Sequence, residues 1–297
     1  MSQSKTGTII KGIGGFYYVR EDDGSIHECK AKGSFRNDNM TPLPGDRVRF
    51  TICEGMSPLI EEIFERRNEL ARPRVANIDQ VAIVISVHKP KADLLLCDKL
   101  IVHSRQAGIT PLLVLNKCDT AGENAIKSHI EEYKNVCAYV CVSAANGDGL
   151  DVLKSHLKGK ITCLAGQSAV GKSSLLNALF PGLSLETGGL SKKTDRGRHT
   201  TRHTELLVMA DIEGMAVDTP GFSFLENAKI EPEQLSGFYD DMKPYSQECR
   251  FTSCLHDKEP GCGVKDAVNG GRINERRYQR YLTILKELQE KRLHEYD

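Results

Sequence analysis

The sequence predicts an α/β domain on a parallel sheet, with a small β-barrel before it and a cysteine-rich, mostly helical segment after it. Short β-patterned runs with glycine and proline punctuation fill residues 1–70. Between residues 71 and 228, buried-strand runs alternate with helical patterns. Residues 229–297 combine cysteines and charged residues with a terminal helical pattern. We therefore expect three domains with these boundaries.

The N-terminal segment contains four β-patterned runs, at residues 6–13, 16–20, 26–31 and 47–52. Gly14 and Gly15 separate the first two runs, and Pro44, Gly45 and Asp46 introduce the fourth. Short strands with this punctuation are typical of small barrels. We expect a five-stranded barrel of the oligonucleotide/oligosaccharide-binding (OB) type, with a generic β module as the alternative.

The central segment alternates strands and helices. Strand patterns lie at residues 81–87, 111–115, 138–142 and 161–165, with further candidates at 205–209 and 215–217. Helical patterns lie at residues 92–106, 125–133, 150–157 and 172–179. Buried strands that are joined by crossover helices form parallel sheets covered on both faces.

Composition limits the classes of partner. The 297 residues include 40 basic and 40 acidic side chains, so the formal net charge is +0 and any nucleic-acid contact must use local patches. We find no apolar run that would span a membrane and no signal core in the first ten residues, so we expect a cytoplasmic protein without membrane contact. In that reducing compartment, the ten cysteines are expected to be thiols or metal ligands.

The strongest local motif is a glycine-rich loop at residues 166–173, which fits G-x-x-x-x-G-K-S between a buried strand and a helix. This setting favours a phosphate-binding loop over a structural turn, because its backbone N–H groups and the helix N-terminus attract anions. We expect Lys172 to reach the β- and γ-phosphates as a catalytic residue and Ser173 to bind Mg²⁺. The predicted nucleotide contacts in this loop are Gly166, Gln167, Ser168, Ala169, Val170, Gly171, Lys172, Ser173 and Ser174.

A second motif predicts that the base is guanine. Asn116, Lys117, Cys118 and Asp119 follow the strand at 111–115 and fit N-K-x-D. The carboxylate of Asp119 can accept hydrogen bonds from guanine N1–H and the exocyclic amine, which adenine does not offer there. Ser143 and Ala144 end the next strand and fit a supporting loop on the base side.

A third group of residues is expected at the γ-phosphate. Asp218 and Gly221 follow the strand candidate at 215–217 and suit a magnesium and switch loop. Residues 188–203 have little hydrophobic anchoring and read as a mobile loop. Within that loop, either Thr200 or Thr201 could bind Mg²⁺, and the pattern does not choose between them.

Four candidate metal ligands, Cys249, Cys254, His256 and Cys262, lie close together in the C-terminal segment. Three thiolates and one imidazole suit a tetrahedral structural zinc ion, and the fourteen residues that carry them, 249–262, have too little apolar content for a core of their own. The alternative is three incidental thiols beside a solvated histidine. The other seven cysteines are expected to pack in cores: Cys29, Cys53, Cys97, Cys118, Cys137, Cys141 and Cys163.

These motifs resemble those of the ribosome-associated GTPases of the YjeQ/RsgA type, over nearly the whole chain. The resemblance rests on order, because 116–119 and 143–144 precede 166–173, and 218–221 comes last. It implies a circularly permuted α/β P-loop GTPase with an N-terminal OB-fold and a C-terminal zinc-binding, mostly helical domain. It also implies docking on the small ribosomal subunit and its rRNA, GTP hydrolysis stimulated by that subunit, and release as GDP forms.

The weak point of the resemblance is catalysis. Phe222 stands where Ras-like enzymes have a glutamine that orients the attacking water, so we expect slow intrinsic hydrolysis. His199, beside the two threonines, is the candidate that would position water in the stimulated state, and the resemblance points to the same position. A solvated loop histidine is the alternative.

The last helical pattern is the candidate RNA contact. It carries Arg272, Arg276, Arg277 and Arg280 with two interleaved tyrosines, Tyr278 and Tyr281. The alternative is a solvated helix whose tyrosines pack inward.

We expect a monomer that binds GTP or GDP with Mg²⁺ and one zinc ion. A second hypothesis is an rRNA-binding factor regulated by guanine nucleotides such as ppGpp, with incidental hydrolysis.

Overall fold

The computed structural model describes residues 2–33, 35, 40–180, 204–218 and 230–294. Thirteen strands and seven α-helices are defined over these ranges. Within them, no helix is long and apolar enough to cross a membrane.

A five-stranded barrel forms the N-terminal domain, with β1 Ser2–Ile13, β2 Phe16–Glu21, β3 Ile26–Ala31, β4 Arg47–Cys53 and β5 Leu59–Ile63. The strand order is β1-β2-β3-β5-β4, and pairing of β4 with β1 closes the barrel. Alternate residues of the strands, including Ile9, Val19, Val48 and Phe50, fill its interior. The expected OB-type barrel is confirmed.

A hairpin that the sequence analysis missed joins the barrel to the central domain. Its strands are β6 Glu69–Ala71 and β7 Arg74–Ala76. Gly45 lies so close to β7 that a Cβ atom there would come 1.9 Å from the Ala76 carbonyl oxygen. Beside it, the fully buried Asp46 accepts two hydrogen bonds from Arg66, both at 2.7 Å.

The central sheet contains β8 Gln80–Ser86, β9 Thr110–Asn116, β10 Ala138–Cys141, β11 Ile161–Ala165, β12 Glu205–Met209 and β13 Gly214–Asp218. The order is β10-β9-β8-β11-β13-β12; the first five are parallel and β12 is antiparallel to β13. Every residue of β8 is buried, because helices cover both faces of the sheet.

Four helices form the two layers over this sheet: α1 Leu94–Gln106, α2 Glu123–Tyr133, α3 Leu150–Leu157 and α4 Lys172–Leu179. Val81, Ile83 and Ile85 of β8 pack in the same apolar cluster as α1 and α2. Ala82 and Val84 face the other way and pack with α3 and α4. This alternation confirms the expected parallel sheet with crossover helices.

The C-terminal domain consists of turns, a 3₁₀ helix at Pro232–Phe238 and three α-helices: α5 Lys243–Ser246, α6 Gly263–Asn269 and α7 Glu275–His294. Its core contains Leu235, Tyr239, Val264 and Tyr281, and Val102 of α1 belongs to the same apolar cluster. The C-terminal domain is therefore packed directly against α1 of the central domain.

Candidate nucleotide site and metal centre

The glycine-rich loop leaves β11 and enters α4 with a strongly curled backbone. Gly166, Ala169 and Gly171 all have positive φ, at +133°, +62° and +99°. A Cβ atom at Gly166 would lie 2.2 Å from the Val84 carbonyl oxygen, so only glycine fits there. The curl and the following helix N-terminus provide the geometry in which backbone N–H groups hold an anion.

Lys172 lies over this loop. Its ammonium group donates hydrogen bonds to the carbonyl oxygens of Gly166 and Gln167, both at 2.7 Å. Burial lowers the pKa of Lys172 from its ordinary value. Ser173, which follows it in the first turn of α4, is half-buried. A cation and a hydroxyl thus stand together at the helix N-terminus.

Asn116 connects the phosphate side of the site to the base side. Its buried amide donates from Nδ2 to the Val170 carbonyl oxygen at 2.8 Å, and its Oδ1 accepts from the Ala144 N–H at 3.2 Å. A Cβ atom at Gly171 would come 2.4 Å from this Nδ2 atom, so the loop is packed closely against Asn116.

Lys117 and Asp119 stand on the far side of Asn116. Lys117 has φ +67°, and its Nζ donates to the carbonyl oxygens of Ala169, at 2.9 Å, and Lys89, at 2.6 Å. Asp119 is exposed in a short 3₁₀ turn, Cys118–Thr120. The buried Ser143 accepts from the N–H groups of the next loop and fixes the start of the base-side turn. The structure therefore brings all the described base-side and phosphate-side residues to one edge of the sheet.

The residues expected at the γ-phosphate are mostly outside the described ranges, namely His199, Thr200, Thr201, Gly221 and Phe222. The backbone of Asp218 is described, and it ends β13 opposite Glu205 of β12. Because β13 pairs in parallel with β11, Asp218 lies at the same edge as the glycine-rich loop.

Sequence reasoning missed two contacts of the site. Lys89 offers its carbonyl to Lys117, and the Gln167 side chain accepts from the Asp93 N–H at 3.1 Å, just before α1. A proline after Lys89 and a capping aspartate were the only local signals for these positions, and neither indicates a nucleotide site.

The four candidate metal ligands converge in the C-terminal domain. Their ligating atoms all lie within 4.8 Å of one another. The Sγ atoms of Cys249 and Cys262 are 3.9 Å apart and lie 3.5 and 3.4 Å from His256 Nδ1. Tetrahedral zinc, with bonds of about 2.3 Å to sulfur and about 2.0 Å to nitrogen, would need separations of about 3.8 and 3.6 Å. The residues therefore fit a zinc ion.

The surroundings also favour a cation at this centre. Burial lowers the pKa of His256, which keeps its imidazole neutral as ligation requires. The carboxylate of Glu259 accepts from the N–H groups of Leu255 and Asp257, both at 3.0 Å, and orders the turn around the histidine. Tyr278 donates its hydroxyl to the His256 carbonyl oxygen at 2.7 Å.

The expected RNA-binding face of α7 requires correction. Tyr281 is fully buried and Tyr278 is 7% exposed, so the tyrosines pack inward. Arg277 is fully buried and forms ion pairs with Asp98 of α1 and with Asp241, and Arg280 also pairs with Asp98. The expectation of a four-arginine surface is therefore wrong for Arg277 and Arg280.

The other two arginines of the group, Arg272 and Arg276, are exposed. They leave a small basic surface at the start of α7. The sequence could not separate them from the ion-paired Arg277 and Arg280, because the partners of those two arginines lie far away in the chain.

The fold and the site together define a class of protein. The sheet has the P-loop fold, and the strand that leads into the N-K-x-D motif precedes the glycine-rich loop in the chain, so the order of its elements is circularly permuted. Comparison with known proteins agrees with this permuted P-loop fold. The RsgA GTPase family model matches residues 63–228, and the RsgA N-terminal domain model matches residues 6–60.

Relatives span nearly the whole chain. Proteins named small ribosomal subunit biogenesis GTPase RsgA are 44% identical in Ruminiclostridium cellulolyticum, over 96% of this chain and 94% of that protein, and 44% in Caldanaerobacter subterraneus, over 98% of both. The crystal structure of YjeQ from Thermotoga maritima superposes with TM-score 0.84 at 37% identity, covering 96% of this chain and 99% of that one. YloQ, described as a circularly permuted GTPase, gives 0.83 at 35%, covering 97% and 96%. The chain belongs to the RsgA GTPase family.

Proposed function

We propose that this protein hydrolyses GTP to GDP and acts in the late assembly of the small (30S) ribosomal subunit, which stimulates the hydrolysis. The observation that carries the nucleotide part is the Asn116 amide, which joins the phosphate loop at Val170 to the base-side loop at Ala144. The names of the relatives support the ribosomal part.

In this proposal, Asp119 reads guanine and Lys117 lies along the base. The N–H groups of 166–174 hold the phosphates, Lys172 neutralises the β- and γ-phosphates, and Ser173 holds Mg²⁺. Lys172 leaves the carbonyls of its own loop when phosphate oxygens take their place, because an anion is the stronger acceptor.

The switch side of the proposal rests on Asp218 and on residues outside the described ranges. Asp218 supports the magnesium ion, either Thr200 or Thr201 completes its coordination, and Gly221 meets the γ-phosphate. His199 positions the attacking water once the ribosomal subunit has bound, in place of the glutamine that Phe222 replaces. The zinc ion holds the turn at residues 249–262 against α7.

We propose that the protein works as a monomer. The names of the relatives favour the enzyme over a regulatory factor with incidental hydrolysis. An alarmone such as ppGpp is a candidate competitor at the same site, since it carries the guanine base that Asp119 reads. Competition against labelled GDP, with ATP as the control nucleotide, tests this ligand.

The deciding experiment measures GTP turnover with no subunits, with purified small subunits and with purified large subunits, and assays bound zinc in the same sample. We expect stimulation by small subunits alone and one zinc ion per chain. Equal turnover under the three conditions would overturn the ribosomal part of the proposal, and preferential turnover of ATP would overturn the guanine site. A His199→Ala variant with normal GTP binding and undiminished stimulated turnover would remove that residue from the mechanism.

A further inference from the structure

Cys118 and Cys141 form a pair of thiols beside the guanine side of the site, although the sequence suggested core packing for both and a place in the N-K-x-D motif for Cys118. Cys118 is the variable residue of the N-K-x-D motif, and Cys141 ends β10. Both are only partly buried, unlike Cys29, Cys97 and Cys163, which are buried in cores. Reagents in solution can therefore reach the pair.

The backbone holds the two cysteines next to each other. Cys141 lies beside Leu115 in the parallel register of β10 and β9. The Cys118 Sγ atom is 3.2 Å from the Leu115 carbonyl oxygen, and the Cys118 N–H donates to the carbonyl oxygen of Val142, the residue after Cys141. The side chains of Cys118 and Cys141 both pack against the apolar cluster that contains Leu115.

The proximity of Cys118 and Cys141 makes the two sulfur atoms chemically unequal. Interaction with Cys118 lowers the pKa of the Cys141 thiol to about 7, whereas interaction with Cys141, together with burial, raises the pKa of the Cys118 thiol. Burial instead raises the pKa of Cys29 to about 12. A partly exposed thiolate next to a second thiol is the arrangement of a redox-sensitive pair.

We propose that Cys118 and Cys141 are a reversible disulfide switch that responds to peroxide and weakens guanine-nucleotide binding. The Cys141 thiolate attacks one oxygen of hydrogen peroxide, the O–O bond breaks, and hydroxide leaves and is protonated to water. The Cys118 thiol then attacks the sulfenic sulfur, the S–O bond breaks, and the departing hydroxide takes the Cys118 proton and leaves as a second water. One peroxide thus converts two thiols to one disulfide and two waters, and a dithiol reductant reverses the change by exchange.

The effect on binding follows from the position of Cys118 between Lys117 and Asp119. A disulfide requires the sulfur atoms to lie about 2.05 Å apart, so the 3₁₀ turn at Cys118–Thr120 must move toward β10. Such a shift displaces the Asp119 carboxylate from the base. This part of the inference rests on the proposed guanine site, whereas formation of the disulfide does not.

The test treats the full-length, zinc-loaded protein with hydrogen peroxide and maps disulfides by mass spectrometry of peptides under non-reducing conditions. We expect a peptide pair that links residues 118 and 141 and forms more slowly at pH 6 than at pH 8, because the thiolate fraction of Cys141 decreases as the pH falls below the pKa of its thiol. The affinity for fluorescent GDP should fall about tenfold, equivalent to about 1.4 kcal/mol, and recover with dithiothreitol.

Two variants separate the pair from other thiols. Cys141→Ser should retain its GDP affinity after peroxide treatment. Because its metal-cluster cysteines are still present, this result would assign the affinity loss to the Cys118–Cys141 pair. Cys53→Ser removes another partly buried cysteine and should respond to peroxide like the protein without substitutions. Absence of the 118–141 link, or an equal affinity loss in Cys141→Ser, would overturn the switch. If the reduced protein does not bind GDP while the link still forms, the proposed guanine site fails and the redox pair stands.

Discussion

Asn116 places one buried amide between two loops of the nucleotide site. In Asn116→Ala, the Val170 carbonyl and the Ala144 N–H lose their partner, and an unpaired buried group costs about 1–3 kcal/mol. We expect a thermal unfolding midpoint several degrees lower and weaker GDP binding, measured by calorimetry and titration. Asn146→Ala is the matched control, because Asn146 is exposed and bonds to the neighbouring Asp148. Equal midpoints for the two variants would contradict the connecting role.

Asp119 is expected to determine the choice of base. In Asp119→Asn, the side chain keeps one acceptor and gains an N–H donor, which suits xanthine because its 2-position carries a carbonyl instead of an amine. We expect GDP affinity to fall by roughly 10- to 100-fold, since hydrogen bonds to charged groups contribute about 1.5–3 kcal/mol, and affinity for xanthosine diphosphate to rise. Competition titrations measure both. Asp151→Asn, an exposed change in α3, should alter neither affinity.

At the scale of elements, the contact between α1 and α7 depends on a buried group of charges. Arg277 lies over the Tyr239 ring, 4.6 Å from its centroid, and pairs with Asp98 and Asp241. In Arg277→Met, the carboxylates of Asp98 and Asp241 would lose their arginine partner. Removing one partner of a buried ion pair typically costs about 3–5 kcal/mol of stability. We expect a large loss of stability, compared in thermal unfolding with Arg276→Met, an exposed change on the same helix.

The same variant should show a pH dependence of known sign. Burial raises the pKa of Asp98, and its two arginines oppose that effect. Without Arg277, the folded-state pKa of Asp98 rises further above its unfolded value of about 3.9. The protonated, neutral form of Asp98 can stay buried without a partner. The loss of unfolding free energy in Arg277→Met should therefore be smaller near pH 5 and should grow as the pH rises through the folded-state pKa of Asp98. An identical deficit at pH 5 and pH 8 would exclude Asp98 as the affected group.

The sequence predicted elements well where a local pattern carried the information. β8 and β9 read as strands because both faces are buried, and the phosphate loop was recognisable because its chemistry demands glycines at fixed positions. Strand β5 was missed since two glutamates interrupt its apolar residues, and β6 and β7 are each only three residues long.

Long-range contacts of the site had no such pattern. Asp98 and Arg277 are separated by 179 positions, so nothing local distinguished the buried arginine from its exposed neighbours. In the same way, the N-K-x-D motif predicted Asn116 as a contact residue but did not predict which backbone groups it would join.

At the scale of the whole molecule, the metal centre is expected to stabilise the C-terminal domain alone. The four ligands hold a segment of turns, and Tyr278 and Tyr281 of α7 donate their hydroxyls to the carbonyl oxygens of His256 and Leu255 in that segment. Removing zinc with a chelator, or changing Cys254→Ser, should abolish the unfolding transition of this domain and leave GDP binding largely intact. Cys53→Ser is the control. A chelated protein that unfolds in one unchanged transition would contradict a structural role for the metal.

One helix also connects the phosphate loop with the zinc-binding domain. The Gln167 side chain contacts Asp93 at the start of α1, and Asp98 in the next turn holds Arg277 of α7. In addition, the permuted order places the C-terminal domain directly after β13 and its expected switch loop. A change at the γ-phosphate can therefore reach the C-terminal domain both through the chain and through α1.

We expect this connection to make α7 sensitive to the nucleotide. A γ-phosphate that orders the phosphate loop and Gln167 should also stabilise α1 and its ion pairs with α7. Amide hydrogen exchange in residues 275–294 should therefore be slower with a non-hydrolysable GTP analogue than with GDP. Exchange in β4 of the barrel, which lies outside the series of contacts from Gln167 to Arg277, is the internal control and should be equal in both states. If both nucleotides bind and α7 exchanges at the same rate with each, the two domains are not coupled in the free protein. Any nucleotide-dependent change in affinity for the ribosomal subunit would then require the bound subunit.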